Sequence, residues 1–147
     1  MRRFVWRLQR VLDIRIMQER KASSELLVLT EKLASTRGEL LVQKKILESI
    51  IKNIAGNSPG KRLAEQEFFL KNSEASNNKI KKLKDKIHEL ELQHKQKIYE
   101  VIQLRKAKEG MEKLRTEAKE RYIKEQEKIE QKELDEKANI LFVRNHN

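Results

Sequence analysis

The stretch closest to a nucleotide site is GNSPGKR, Gly56 to Arg62. A Gly-Lys step in a glycine-flanked loop is the beginning of phosphate-binding chemistry, in which backbone N–H groups cradle phosphates and the Lys reaches the outer ones. That loop needs four residues between its glycines, and a Ser or Thr after the Lys to hold a metal ion. Here only Asn57, Ser58 and Pro59 separate Gly56 from Gly60, and Arg62 stands where the hydroxyl belongs. No apolar β-run precedes the loop to supply a strand. The stretch therefore reads as a turn, and no cofactor-binding residue is assigned.

Metal chemistry fares no better. His88 and His94 lie six residues apart in HELELQH, about 600° around a helix and so on different faces, whereas a zinc-protease pair needs a spacing of four. An exposed His88 and a His94 at the edge of a packed seam are the expectation. The abundant Asp and Glu are interleaved with Lys and Arg along solvated faces, with no concave pocket to shift a pKa or exclude water. No catalytic or metal-binding residue is predicted, and the chain is not expected to be an enzyme. Cysteine is absent, which excludes disulfides and thiol chemistry.

The elements that carry these residues are helices. Of 147 residues, 39% are charged and only 5% aromatic, with four glycines and one proline. A compact fold needs more turns and a denser apolar core; this profile is that of long helices and coiled coils. From Val5, steps of three and four give Val5, Leu8, Leu12, Arg15, Glu19, Ala22, Leu26, Leu29, Leu33, Thr36, Leu40, Gln43, Leu47, Ile50 and Ile54, eleven of fifteen apolar. Such a repeat is a coiled-coil seam. A second seam runs Ile80, Leu83, Ile87, Leu90, His94, Lys97, Val101, Leu104, Lys108, Met111, Arg115, Ala118, Tyr122, Glu125 and Ile129, with ten of fifteen apolar. Ile98, Ala107 and Leu114 lie one position off its polar members, so the stripe is expected to drift around the helix.

The only strong break is at Gly56 to Gly60, where Pro59 blocks continuation. The pattern predicts an all-α, two-helix antiparallel coiled-coil hairpin forming one domain over 1–147: a helix over about 4–55, a turn over about 56–62, and a helix over about 63–141 that the polar KNSEASNN (Lys71 to Asn78) would loosen. Folding back from Pro59, the first helix would pair only as far as about residue 114. The remaining C-terminal helix would overhang, supported at i,i+4 by Glu117–Arg121, Glu120–Lys124 and Glu133–Lys137.

The net charge of +11 raises nucleic acid as a partner. Bases and acids are mixed, however, aromatics for stacking are few and no recognition motif is present, so no specific nucleic acid is predicted. The N-terminal MRRFVWRLQRVL starts like an export signal, but Arg7 and Arg10 interrupt its apolar core. Phe4, Val5, Trp6 and Leu8 could rest on anionic lipid; the favoured reading is that they begin the seam. No stretch approaches the roughly 18 apolar residues of a membrane helix, and a soluble intracellular chain is expected.

FVWRLQRVLDIR (Phe4 to Arg15) and EQKELDE (Glu130 to Glu136) together resemble the bacterial flagellar export FliJ family, with the turn between them at the expected place. The resemblance covers nearly the whole chain, and its specific parts are the two end motifs. It implies a non-enzymatic stalk or adaptor of flagellar type III protein export, serving motility from the cytoplasmic face of the inner membrane. Such a protein binds the central pore of the hexameric export ATPase and promotes its assembly or activity. It also contacts the membrane export gate protein FlhA and export chaperones. ATPase contact would fall on Phe4, Trp6, Arg7, Leu8, Arg10 and Arg15 with Glu130, Gln131, Lys132, Glu133, Leu134, Asp135 and Glu136. Phe68 and Phe69, adjacent and on different azimuths, would offer one exposed ring to the gate. The alternatives are a stalk protein of a needle-type secretion system and a basic structural or nucleic-acid-associated coiled coil.

Overall fold

The computed structural model describes residues 2–55 and 62–146. Two helices account for nearly all of them: α1, Gln9–Ala55, and α2, Arg62–His146. They pack antiparallel as an all-α hairpin, as the two seams predict, and no strand occurs among the described residues. The expected turn over 56–62, GNSPGKR included, lies outside the described residues except for Arg62, the first residue of α2. The chain divides into two compact units, a middle unit of residues 21–101 and a terminal unit of residues 1–20 and 102–147.

In the middle unit the seam is well filled. Ala22, Leu33, Leu90 and Val101 are buried, and Leu26, Leu29, Leu40, Leu47, Ile80, Leu83 and Ile87 are half-buried beside them. Half-burial is the geometric limit of a helix pair, because each helix covers only one stripe of its partner. Polar seam members are satisfied locally or across the pair. The Thr36 hydroxyl donates to the Lys32 carbonyl at 2.7 Å, and Thr30 Oγ1 meets His94 Nε2 at 3.0 Å. KNSEASNN does not loosen α2, which runs through it without a break. Small Ser76 occupies a buried seam position, and the Ser73 hydroxyl folds back onto the Leu70 carbonyl at 3.0 Å, so neither disturbs the helix.

The terminal unit departs from expectation at its start. Residues 2–6 are not helical, residues 7 and 8 turn, and α1 begins at Gln9 rather than near residue 4. Its first bonds run from the Gln9 N–H to the Trp6 carbonyl and from the Leu12 N–H to the Leu8 carbonyl, both at 3.1 Å. Charge explains the late start. The positive end of a helix favours acids, and here Arg2, Arg3, Arg7 and Arg10 crowd it while the first turn holds no acid. Val5, expected at the head of the seam, is 81% exposed.

The register also differs. A fold symmetric about Pro59 would set Gln9 opposite Glu109, but Gln9 accepts from Arg115 at 2.8 Å, and Tyr122 reaches the Arg2 carbonyl. Pairing thus extends to about Gln126, and the overhang comprises residues 127–146, all exposed, instead of starting near 115. Drift of the stripe is confined to Ala107, which is half-buried beside Lys108. Ile98 and Leu114 are exposed, while Lys97, Lys108 and Arg115 keep the seam positions. Their aliphatic stems lie along the seam and their charged ends reach acceptors at its edge.

Candidate protein-interaction surface

The terminal unit assembles its surface from three parts. An aromatic clasp holds the N-terminal segment against α2. The Phe4 ring lies 5.4 Å from the Tyr122 ring, tilted by 50°, and the Arg115 guanidinium sits 5.6 Å from the Phe4 centroid. The Tyr122 hydroxyl donates to the Arg2 carbonyl. One ring therefore anchors the segment by packing, a guanidinium by its attraction to the ring face, and a hydroxyl by hydrogen bonding.

The second part is a charged seam. Glu19 is buried at a position where an apolar residue is usual, and its Oε1 accepts from Arg105 Nη2 at 3.3 Å and Nε at 3.4 Å. Lys108 Nζ lies 3.8 Å from its other oxygen. Leu12 is the buried apolar residue of this unit. The comparable pair of the middle unit, Lys97 with Glu25 at 2.5 Å, lies at the seam edge, and Lys97 also donates to Glu100 at 2.9 Å. Hydrogen bonding and charge attraction from Lys97 hold the Glu25 carboxyl below its ordinary range. The same bonds, to Glu25 first and then Glu100, hold the Lys97 ammonium above its own.

The third part is the overhang. Glu130, Gln131, Lys132, Glu133, Leu134, Asp135 and Glu136 all lie exposed on it. None of the three i,i+4 acid–base pairs expected near it closes to salt-bridge distance among the described residues; Gln131 Nε2 instead donates to Asp135 at 3.3 Å. Of the N-terminal residues, Arg7 and Arg10 are exposed, whereas Phe4, Trp6, Leu8 and Arg15 are half-buried. The two predicted motifs are not seen in contact among the described residues, but Arg2, just ahead of the first, lies beside the start of the second. A cleft of about 400 Å³ is lined by Arg2, Gln126, Ile129, Glu130 and Glu133, so the chain start abuts the first turn of EQKELDE. The rest of that motif extends past the N-terminal segment.

The run Ile140–Val143 was missed by the periodicity argument. These four consecutive residues are 58–63% exposed and, at about 100° per residue, face most of the way around the helix. ILFV stands out as an uncharged run in a charged helix, and this was the available signal. It belongs to no single stripe, so a search for seams passes over it.

In the middle unit Phe68 is exposed and Phe69 half-buried, so one ring of the adjacent pair is exposed, as expected. A separate groove of about 480 Å³ is lined by Glu39, Val42, Gln43, Lys79, Lys82 and Leu83. His88 is exposed and His94 sits at the seam against Thr30. Among the described residues no cluster of three metal-ligating side chains exists, and no helix is long and apolar enough to cross a membrane.

The arrangement is one of surfaces. It comprises a clasped N-terminal segment, a charged seam and a helix end exposed on every side. The family described as flagellar FliJ protein matches residues 4–147, nearly the whole chain. The chain belongs to the FliJ family. That match includes both end motifs and everything between them, and it places the chain among the non-catalytic components of flagellar protein export. No curated protein and no solved structure matches the chain.

Proposed function

We propose that this FliJ-family chain is a stalk and adaptor that inserts its terminal unit into the central pore of the hexameric flagellar export ATPase and promotes its assembly or activity. The observation that carries the reading is the overhang, residues 127–146, exposed on every side next to the clasped N-terminal segment of the same unit. A helix exposed over 20 residues gains little from its own short-range pairs, each worth only about 0.2–0.5 kcal/mol. An enclosing partner would supply the missing contacts. Phe4, Trp6, Arg7, Leu8, Arg10 and Arg15 would meet the ATPase from one side of the unit and Glu130 to Glu136 from the other. Mixed charge suits shallow contacts that can rearrange as the subunits of a ring change state.

The second half of the role is linkage to the membrane export gate FlhA and to export chaperones at the cytoplasmic face of the inner membrane. The exposed Phe68 ring of the middle unit is the proposed gate contact, with Phe69 packed behind it. The protein itself needs no cofactor in this reading; ATP is hydrolysed by its partner.

The test is capture of the purified export ATPase by the full chain at physiological salt, with ATPase rate as a second readout. Capture and stimulation are expected for the full chain, and loss of both on truncation after Gln126. No capture by the full chain would refute the stalk reading. Undiminished capture by the truncated chain would move the contact off the overhang.

A further inference from the structure

The start of α1 has two faces. One carries Leu12, Arg15 and Glu19 into the seam. The other holds Arg10, Val11, Ile14, Met17 and Gln18, all exposed, and Met17 keeps 68% of its surface open. At about 100° per residue, Val11, Ile14 and Met17 spread over roughly 120° of the helix, with Arg10 at one end of the stripe and Gln18 at the other. Leu114 of α2, also exposed, widens it. Val11 and Leu114 each precede a seam member by one residue, which in an antiparallel pair sets both on the same edge. The bond between Gln9 and Arg115 brings them to the same level. We infer that this face of the terminal unit docks on the surface of an anionic bilayer.

Charge and width select that occupant. Residues 2–20 expose five arginines, Arg2, Arg3, Arg7, Arg10 and Arg20, against one exposed acid, Asp13. None of the five is ion-paired among the described residues, and Asp13 accepts from Gln9 Nε2 at 3.0 Å. Such an excess draws an anionic lipid surface, and by itself it would draw a nucleic acid equally. The apolar side chains decide between them. A phosphate backbone offers Val11, Ile14 and Met17 nothing to pack on, whereas the acyl boundary below lipid headgroups does. A single further helix fits less well. A coiled-coil partner covers a narrow strip two heptad positions wide, while a stripe of 100° or more is that of a helix facing a continuous apolar phase.

The two contributions act together. An arginine stem lies along apolar ground while its guanidinium stays at the level of the phosphates, so Arg10 at the end of the stripe does not keep Ile14 and Met17 from the boundary. Val5, ahead of α1 and 81% exposed, adds a further apolar side chain, whereas Phe4 and Trp6 are half-buried and take no part. Val11, Ile14, Met17 and Leu114 are none of the side chains proposed to meet the export ATPase, and the inference does not rest on that role. Arg7 and Arg10 belong to both surfaces, so one chain engages the bilayer or the ATPase at a given time.

The test is co-sedimentation of the full chain, at physiological salt, with phosphatidylcholine vesicles that contain phosphatidylglycerol and with phosphatidylcholine vesicles alone. Binding is expected to the first and not to the second. Ile14→Ser/Met17→Ser leaves the net charge unchanged and is expected to weaken partitioning about tenfold with unaltered helix content. Leu141→Ser/Phe142→Ser, on the overhang, is expected to bind as the unaltered chain does. Because the chain has no cysteine, an environment-sensitive dye on a single thiol reports depth. On anionic vesicles its emission is expected to shift blue at Met17→Cys and to stay unshifted at Lys119→Cys, exposed on the opposite edge. A chain that ignores anionic vesicles would overturn the inference and leave the face to a protein partner. Undiminished binding of Ile14→Ser/Met17→Ser would also overturn it, by reducing the attraction to charge alone. So would equal binding to both kinds of vesicle, loss of binding in Leu141→Ser/Phe142→Ser, or a dye response at Lys119→Cys equal to that at Met17→Cys.

Discussion

The middle and terminal units use the same heptad and fill it differently. Between residues 21 and 101 the buried apolar members are Ala22, Leu33, Leu90 and Val101, and charge stays at the seam edge as Lys97–Glu25 and Arg37–Glu91. In the terminal unit Leu12 is buried, but a buried Glu19 held by Arg105 and Lys108 takes the place of a second apolar layer. Ahead of Gln9 the pairing is no longer helix on helix but a ring-and-hydroxyl clasp. A desolvated charge contributes less than an apolar layer of equal volume, because attraction must first offset lost hydration. The difference teaches that the middle unit is the more firmly packed of the two and that local opening is easier in the terminal unit.

The largest expected effect separates the two units outright. Truncation after Gln126 removes only exposed side chains, so capture of the export ATPase should vanish while the thermal midpoint shifts by little. A midpoint shift of several degrees would mean that the overhang packs in solution. Next comes Leu33→Ala in the middle unit, which should cost about 2 kcal/mol in urea unfolding, the low end for a buried leucine because its cavity opens toward solvent. A cost near zero would remove the claim that this unit holds the hairpin.

A smaller effect should follow Glu19→Ala, about 1–2 kcal/mol, from leaving Arg105 and Lys108 without their acid. Its sharper signature is local: amide exchange should accelerate in residues 9–20 and 102–118 and not in the middle unit. Tyr122→Phe deletes only the hydroxyl that holds the Arg2 carbonyl and should cost about 0.5–1.5 kcal/mol at most. Trp6 is the chain's single tryptophan, so its emission should shift red as the segment loosens. An unshifted spectrum would mean that ring packing on Phe4 suffices.

The smallest effect is in pH. The Glu25 carboxyl is held below its usual value of 4.5 by Lys97, so its contribution is present above 4.5 and is lost as pH falls through the lowered value. Lys97 is held above 10.5, so its contribution is present below 10.5 and is lost as pH rises through the raised value. Both side chains are partly solvated, and Lys97→Met should flatten a shallow acid decline in the unfolding midpoint without moving the neutral plateau. An unflattened decline would assign it to other carboxylates.

Much of this was legible in the residues. Every member of the first seam from Leu8 to Ile50 is buried or half-buried, and the second holds from Ile80 to Tyr122. His94 lies at the seam, and one ring of the Phe68–Phe69 pair is exposed, as expected. What failed had identifiable causes. Ile98 and Leu114 looked like better seam members than Lys97 and Arg115, since hydropathy counts a whole side chain while a lysine stem packs and its ammonium leaves. The overhang starts later than symmetry about Pro59 predicts, because the register sets Gln9 beside Arg115. Ile140–Val143 went unnoticed as a surface because it belongs to no stripe.

By itself, then, the order of residues determined that there are two helices, which face of each is buried, and that one outlasts the other. Periodicity is a property of a single chain segment and needs no partner to be read. Only the tertiary structure decided the register that sets Gln9 beside Arg115, the release of residues 2–8 from the helix, and the burial of Glu19 against Arg105 and Lys108. Each of these depends on which side chains meet across the pair, and heptads slide past one another at similar cost until specific polar and aromatic contacts select one alignment.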